Sequence, residues 1–330
     1  MQFWKKAESF GFQLPKFARG GQAPTREEGF LQTDFFVGTD CIKMAGTPLM
    51  LDLVAQCKKL IEGPYRNCRK PCLAAILVGE DPASQVYVAH KQRRFADCGF
   101  ATKLYKISSA EFLEKKAALL EDLIDQLNAD AEIDGILLQL PLPQGFDATP
   151  LLDRIAPEKD VDGFHVLNMG YLASGRYEGL LPCTPYGIFA LLQAYHVDVE
   201  GKNVTVVGRS NIVGKPAAYL ALNARATVTV VHKLTKDILP FTRSADLLIV
   251  GAGSHNLIRA QHVQKGAVVV DVGIHSLGNG KIEGDVHEEV RQIAKMVSPV
   301  PGGVGPMTIA MLCINTAMAC WGKFSHSAEF

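Results

Sequence analysis

Four short runs restrict the fold of this chain more than any other feature: residues 203–207, 227–231, 246–250 and 268–272. Each is short, β-branched and apolar, as in Asn203-Val204-Thr205-Val206-Val207. Runs of that composition are strands of a parallel sheet, buried on both faces. Upstream the period alternates between strand and helix. Strands are expected over 73–78, 102–107 and 135–140. Amphipathic helices are expected over 83–98 and 110–128, with a short helix near 149–155. Such alternation implies right-handed βαβ crossovers, parallel sheets, and functional groups gathered at the C-terminal ends of strands. The expected fold class is α/β, with two domains, each a mainly parallel sheet with flanking helices.

The length of 330 residues allows two domains, each with a substantial core. Lysine plus arginine and aspartate plus glutamate balance at 34 each, so no global field favours nucleic acid or an anionic membrane, and neither is expected as a partner. The stretch 304–320 lacks charges but contains Thr308, Asn315 and Thr316 and is short for a bilayer span, so it reads as a buried core helix. The cysteines at 41, 57, 68, 72, 98, 183, 313 and 320 form no CxxC pair and no zinc spacing; reduced thiols and no metal site are expected. In the first twenty residues Lys5, Lys6, Lys16 and Arg19 outnumber the single acid Glu8. Residues 1–37 therefore read as an N-terminal extension: an organelle-targeting segment, a cloning remnant or a flexible arm. A cytoplasmic location is expected, with a mitochondrial one as the alternative.

The most informative local stretch is Asp81-Pro82-Ala83-Ser84-Gln85-Val86-Tyr87-Val88-Ala89-His90-Lys91. Pro82 suits the first turn of a helix and Asp81 can cap it. Tyr87 and Lys91, four residues apart, share one helix face. They are either a surface lysine packed on a tyrosine or a proton-handling pair near a strand end. Gln139, the polar residue in an apolar strand, either caps a stray backbone group or points into a site. In Pro157-Glu158-Lys159-Asp160-Val161-Asp162-Gly163 the paired acids either cap the following turn or bind a ring edge.

Downstream, Gly208-Arg209-Ser210-Asn211-Ile212-Val213-Gly214-Lys215-Pro216 has the context of strand, glycine-bounded loop and helix. Glycine lets a backbone approach a pyrophosphate, and a helix N-terminus offers free N–H groups. The next strand ends in Val231-His232-Lys233, without the acid that usually holds adenosine ribose hydroxyls in NAD-binding units. Arg209, Ser210 and Lys233 can instead meet a 2′-phosphate, which favours NADP. Gly251-Ala252-Gly253 and Asp271-Val272-Gly273 would line the rest of a cofactor groove. The second domain is thus expected to be Rossmann-like, with Gly208, Arg209, Ser210, Ile212, Gly214, His232, Lys233, Gly251, Gly253 and Gly273 at the cofactor.

Taken in order, Gly79-Glu80-Asp81-Pro82-Ala83-Ser84 with Tyr87 and Lys91, Gln139-Leu140-Pro141-Leu142-Pro143 and Lys159-Asp160-Val161-Asp162-Gly163 resemble the signature of the methylenetetrahydrofolate dehydrogenase/cyclohydrolase family. So do Pro182-Cys183-Thr184-Pro185, the 208–216 loop, and Pro299-Val300-Pro301-Gly302-Gly303-Val304-Gly305-Pro306-Met307-Thr308. The resemblance runs from about residue 73 to 320. One departure is Lys233, where the family usually has serine.

The resemblance implies a folate-binding catalytic domain over 38–182, to which 300–330 returns, and an NADP-binding domain over 183–299. It implies two reactions in a cleft between the domains: hydride loss from 5,10-methylenetetrahydrofolate to NADP⁺, then hydrolysis of the methenyl cation to 10-formyltetrahydrofolate, a donor for purine biosynthesis. It maps proton management onto Lys91, folate positioning onto Tyr87, orientation of the lysine onto Gln139, and recognition of the pterin amino edge onto Asp162. Gly302, Gly303 and Pro306 would shape the folate-side wall. A homodimer is the expected assembly. The alternatives are a dehydrogenase-only member and a folate- or nucleotide-binding protein without turnover.

Overall fold

In a computed structural model the chain is described at residues 2–17, 30–31, 34–143, 146–278 and 280–325. Of the 1–37 extension, residues 1, 18–29 and 32–33 lie outside the described residues. The chain divides into two units.

One unit comprises Lys5–Gln13, Leu53–Cys183 and Ile309–Phe330. Helix α1 (Thr47–Glu62) leads into it. Its sheet contains β1 (Cys72–Val78), β2 (Ala101–Ile107) and β3 (Gly135–Leu138), in the order β2-β1-β3 and parallel throughout. All seven residues of β1 are buried, which is why its sequence shows no alternation. The crossovers are α2 (Pro82–Cys98) and α3 (Ser109–Ala129). Asp81 caps α2 by accepting from the Ser84 N–H at 2.8 Å, and Gly99 ends it at φ +79°, a left-handed position that glycine adopts without penalty. Phe112, Leu120, Ile124 and Leu127 of α3 close the core over Ile76, Ile107 and Ile136. Each such side chain contributes about 1.5–3 kcal/mol on burial. The carbonyls of Leu127, Asn128 and Asp130 at the end of α3 accept from Lys159 Nζ at 2.9, 2.8 and 2.8 Å, a cation at the negative end of the helix.

The other unit comprises Met1–Trp4, Leu14–Asp52 and Thr184–Thr308. Helix α4 (Cys183–Ala194) opens its second half. There follow β4 (Asn203–Val207), α5 (Gly214–Asn223), β5 (Thr227–Val231), β6 (Leu247–Val250) and β7 (Val268–Asp271). The sheet has seven strands: β7, β6, β4 and β5 in that order, preceded by Asp34–Phe35, Ile42–Lys43 and Met296–Val297. Only Asp34–Phe35 pairs antiparallel. The sequence expectation of strands covered on both faces holds for β6 and β7, which are buried throughout, and for most of β4. It fails for β5, where only the last residue, Val231, is buried. β5 is the edge strand, and β-branched composition does not distinguish an edge from a centre.

Helix α6 (Val304–Ser325) closes the described chain. It is long and apolar enough for a membrane span by composition, yet 78% of the relevant window is buried in the protein. All eight cysteines are free thiols. In the N-terminal segment Phe3, Trp4, Ala7 and Phe12 are buried, whereas Phe35 and Val37 are exposed. In the seven-stranded unit Phe3 and Trp4 are buried against Tyr186, with ring centroids 5.9 and 5.5 Å away. In the three-stranded unit Phe12 is fully buried and stacks on Trp321 at 6.1 Å. There too the carbonyls of Glu178 and Gly179 accept from Lys6 Nζ, at 2.6 and 3.1 Å.

Candidate functional site

In the three-stranded unit the groups of interest come from the ends of β1 and β3 and from the loop after 157. Helix α2 starts directly after β1, and its capped first turn sets the rotation that puts Tyr87 and Lys91 on one face. Lys91 is only 8% exposed, yet its ammonium has a partner: Nζ donates to Gln139 Oε1 at 3.0 Å. Gln139 follows β3, and its Nε2 donates to the Leu140 carbonyl at 2.7 Å. The capping reading of Gln139 therefore holds, since it caps a stray carbonyl, and its amide oxygen is taken by the lysine. Tyr87 is half-buried, and burial pushes its phenol up.

The two aspartates of the next loop are held differently. Asp160 is the capping residue. Its carboxylate accepts from the Gly163 N–H at 3.1 Å, the His165 N–H at 2.8 Å and Asn168 Nδ2 at 2.8 Å. Asp162 is held otherwise. Burial pushes its carboxyl up; the Lys91 charge pulls it back, Asp160 pushes it up, and a hydrogen bond with the Cys183 thiol lowers it. Tyr87, Lys91, Gln139 and Asp162 thus fall in one unit, with Lys91 near enough to both Gln139 and Asp162 to interact. Sequence reasoning missed the support behind them. Asn315 of α6, fully buried, donates from Nδ2 to the carbonyls of Val161 and Leu181 at 2.8 and 2.9 Å, bracketing Asp162. A partner 154 residues away leaves no local signal.

The seven-stranded unit carries the other set. Gly208, at φ +121°, follows β4, and a Cβ there would strike the Gly251 carbonyl oxygen. A Cβ on Gly214 would strike the Gly208 carbonyl, and one on Gly273 the Asp285 backbone nitrogen. Gly208, Gly214 and Gly251 are therefore packed together by close approach of backbones at the strand ends. Ser210 Oγ accepts from the N–H groups of Val213 and Gly214 at 3.2 and 3.3 Å, ordering the turn into α5. The N–H groups of Arg209, Ser210, Asn211 and Ile212 make no hydrogen bond among the described residues. A row of unpaired donors before a helix suits an anion. Arg209 and Lys233 are exposed, without an ion pair to any described residue. His232 is tied into its own turn, Nδ1 accepting from the Leu234 N–H at 3.3 Å.

Gly302, Gly303 and Pro306 belong to this unit as well. The Gly302 carbonyl accepts from Gly46 N and Thr47 N at 2.8 and 3.1 Å, so the loop braces the start of α1. Pro306 sits in the first turn of α6, where a missing N–H costs nothing. Sequence reasoning also passed over Asp285 and named Asp271 only within the groove-lining run 271–273; both carboxylates are almost wholly buried. Among the described residues no group of three or more His, Cys, Asp or Glu is placed to hold a metal ion.

Comparison with known proteins follows the same division. Residues 44–162 match the tetrahydrofolate dehydrogenase/cyclohydrolase catalytic domain, and residues 182–323 match the NAD(P)-binding domain of that family. The bifunctional protein FolD of Campylobacter hominis is 51% identical over 247 residues, 74% of this chain and 85% of the relative. The crystal structure of the bifunctional enzyme FolD, a methylenetetrahydrofolate dehydrogenase/cyclohydrolase, from Campylobacter jejuni superimposes with a TM-score of 0.81 at 46% identity, covering 85% of this chain and 98% of that one. The Trypanosoma brucei dehydrogenase–cyclohydrolase, solved with NADP cofactor and inhibitor, gives 0.80 at 33% identity, covering 87% and 99%. The architecture is α/β in both units, with a Rossmann-like nucleotide-binding domain. The chain belongs to the tetrahydrofolate dehydrogenase/cyclohydrolase family.

Proposed function

We propose that this protein oxidises 5,10-methylenetetrahydrofolate with NADP⁺ and hydrolyses the resulting 5,10-methenyltetrahydrofolate to 10-formyltetrahydrofolate. The observation that carries the reading is the buried Lys91 ammonium hydrogen-bonded to a glutamine whose own amide is pinned by a backbone carbonyl. An enzyme performing only the oxidation has no need of a lysine held in that way.

The dinucleotide fits the 208–214 turn. Four unpaired N–H groups suit its pyrophosphate, Arg209 and Lys233 supply exposed cations for a 2′-phosphate, and no acid follows β5 to repel one. Bound there, NADP⁺ accepts the hydride; the residues of the chain align and bind. His232, Gly251, Gly253 and Gly273 form the remaining wall of this groove.

In the hydrolysis, water adds to the methenyl carbon and gives up both its protons as the formyl carbonyl forms, the carbon–N5 bond breaks with its electron pair going to N5, and N5 takes up one proton, so one proton is released overall. Lys91 Nζ manages those transfers. Gln139 holds Nζ in place, Tyr87 offers its ring to the folate, and Asp162 accepts from the pterin N–H edge. Within the same reading the enzyme is cytoplasmic, consistent with free thiols, and a homodimer.

Following absorbance with methylenetetrahydrofolate and NADP⁺, then with NAD⁺, tests the oxidation. Decay of methenyltetrahydrofolate without dinucleotide tests the hydrolysis. Absence of the second reaction leaves a dehydrogenase alone, and absence of both leaves a binding protein.

A further inference from the structure

The loop 251–254, which follows β6, is held from behind by one carboxylate. Asp285 is fully buried, and four donors converge on it. Oδ2 accepts from the N–H groups of Ala252 and Gly253 at 2.7 and 2.9 Å. Oδ1 accepts from the Ser254 N–H at 2.9 Å and lies 2.7 Å from His275 Nε2. Four donors match the roughly four acceptor sites of a carboxylate. Asp285 is fixed in its turn: its own N–H and that of Val286 donate to Asp271, at 3.0 and 3.1 Å, and Asp271 ends the neighbouring strand β7. On the flank, His255 Nε2 and Glu283 Oε2 are 2.7 Å apart.

This arrangement turns three successive N–H groups inward, away from any ligand on the loop. The 208–214 turn is built the opposite way over its middle, where the N–H groups of residues 209–212 make no hydrogen bond among the described residues. The two loops are in direct contact, since a Cβ on Gly208 would strike the Gly251 carbonyl. They therefore present different surfaces on one rim: donors from the first, carbonyls and bare glycine backbone from the second.

We infer that Asp285, anchored by His275, is a positioning residue that shapes the 251–254 loop as a wall for the dinucleotide. The inference rests on the proposed placement of NADP⁺ at this rim. Asparagine at 285 keeps the volume but has a single acceptor oxygen, and its NH₂ group would face the loop's N–H donors. The loop then loses its fixed shape while the 208–214 turn keeps its own.

The experiment compares the parent with Asp285→Asn and His275→Asn. For Asp285→Asn the KM for NADP⁺ should rise about tenfold or more, on the scale of a lost charged hydrogen bond. Amide exchange at 252–254 should accelerate, while hydrolysis of methenyltetrahydrofolate without dinucleotide should stay at the parent rate. His275→Asn, which leaves the three backbone donors in place, should raise the same KM by a smaller factor. A parent-like KM for NADP⁺ in a folded Asp285→Asn overturns the inference, as does a parallel loss of both activities. If Asp285→Asn does not fold, a parent-like KM in His275→Asn overturns it. If NADP⁺ leaves amide exchange of the parent unchanged across 251–254 during turnover, the placement of the dinucleotide is wrong, and the inference falls with it.

Discussion

Lys91 and Gln139 are joined in one orientation only. The amide oxygen accepts from Nζ at 3.0 Å while the amide nitrogen donates to the Leu140 carbonyl at 2.7 Å. A flipped amide would set NH₂ against ammonium and oxygen against oxygen. The strand end thus fixes the amide, and the amide fixes the lysine.

Replacing Lys91 by Met keeps much of the stem and removes the proton carrier. Hydrolysis of methenyltetrahydrofolate should fall by about two to four orders of magnitude, the span of a proton-transfer group, with a smaller loss in hydride transfer. Parallel assays of the two reactions check this, and an unchanged hydrolysis rate removes Lys91 from the mechanism.

Asp160 and Asp162 should respond oppositely to substitution. Asp160→Ala strips the acceptor from Gly163, His165 and Asn168 and should lower stability by about 1–3 kcal/mol. Asp162→Asn should leave the melting temperature near that of the parent and weaken folate binding, because asparagine offers the pterin edge a misplaced NH₂. Melting curves beside folate and NADP⁺ titrations separate the two effects.

Arg209→Ala should weaken NADP⁺ by about 1.5–3 kcal/mol and leave NAD⁺ almost untouched, the signature of a contact to the 2′-phosphate. Lys233→Ala should do the same more weakly. Equal losses with both dinucleotides would reassign Arg209 to the fold.

The N-terminal segment should matter for stability. Trp4 is 1% exposed, and Trp4→Ala should cost about 3–5 kcal/mol in denaturant unfolding. A change under about 0.5 kcal/mol, typical of a surface site, would contradict its burial.

Burial pushes the Asp271 carboxyl up to about 6, against an ordinary value of 3.8. The folded protein therefore holds this proton more tightly than the unfolded chain. The stability it contributes is fully present below pH 3.8 and is lost as pH rises through about 6. The parent should gain stability over Asp271→Asn as pH falls from about 6 to about 4. The gain should be no more than about 3 kcal/mol, because a tenfold change in proton affinity is worth about 1.4 kcal/mol. Chemical denaturation of both proteins across that window measures it.

What the sequence made legible follows its local signals. Strand β1, the Asp81 cap and the Gly99 stop are readable because each depends on neighbours within a few residues. The ordered motifs carried the family in the same way. The exposure of β5 was not readable, since edge position is a property of the sheet. Likewise, Pro157-Glu158-Lys159-Asp160-Val161-Asp162-Gly163 shows two aspartates without showing which one caps. The long-range supports were silent: Asn315 against Val161 and Asp285 against 252–254 join segments whose spacing carries no period. The described N-terminal residues show the same limit, because a mixed basic-aromatic segment reads as an arm until Phe3, Trp4 and Phe12 find partners.

The interleaving of the two units has a consequence for biogenesis. The three-stranded unit takes its last helical segment from Ile309–Ser325, and the seven-stranded unit takes Leu14–Asp52 from ahead of the other's sheet. Neither unit is a contiguous stretch of chain, so neither can be cut out as a fragment or completed early during translation. The last strand of the three-stranded sheet ends at Leu138, 166 residues before Val304 opens the helix that carries Asn315. Until that helix is made, the nascent chain holds an open apolar core in need of protection, and truncation ahead of Ile309 would orphan a sheet that had already formed.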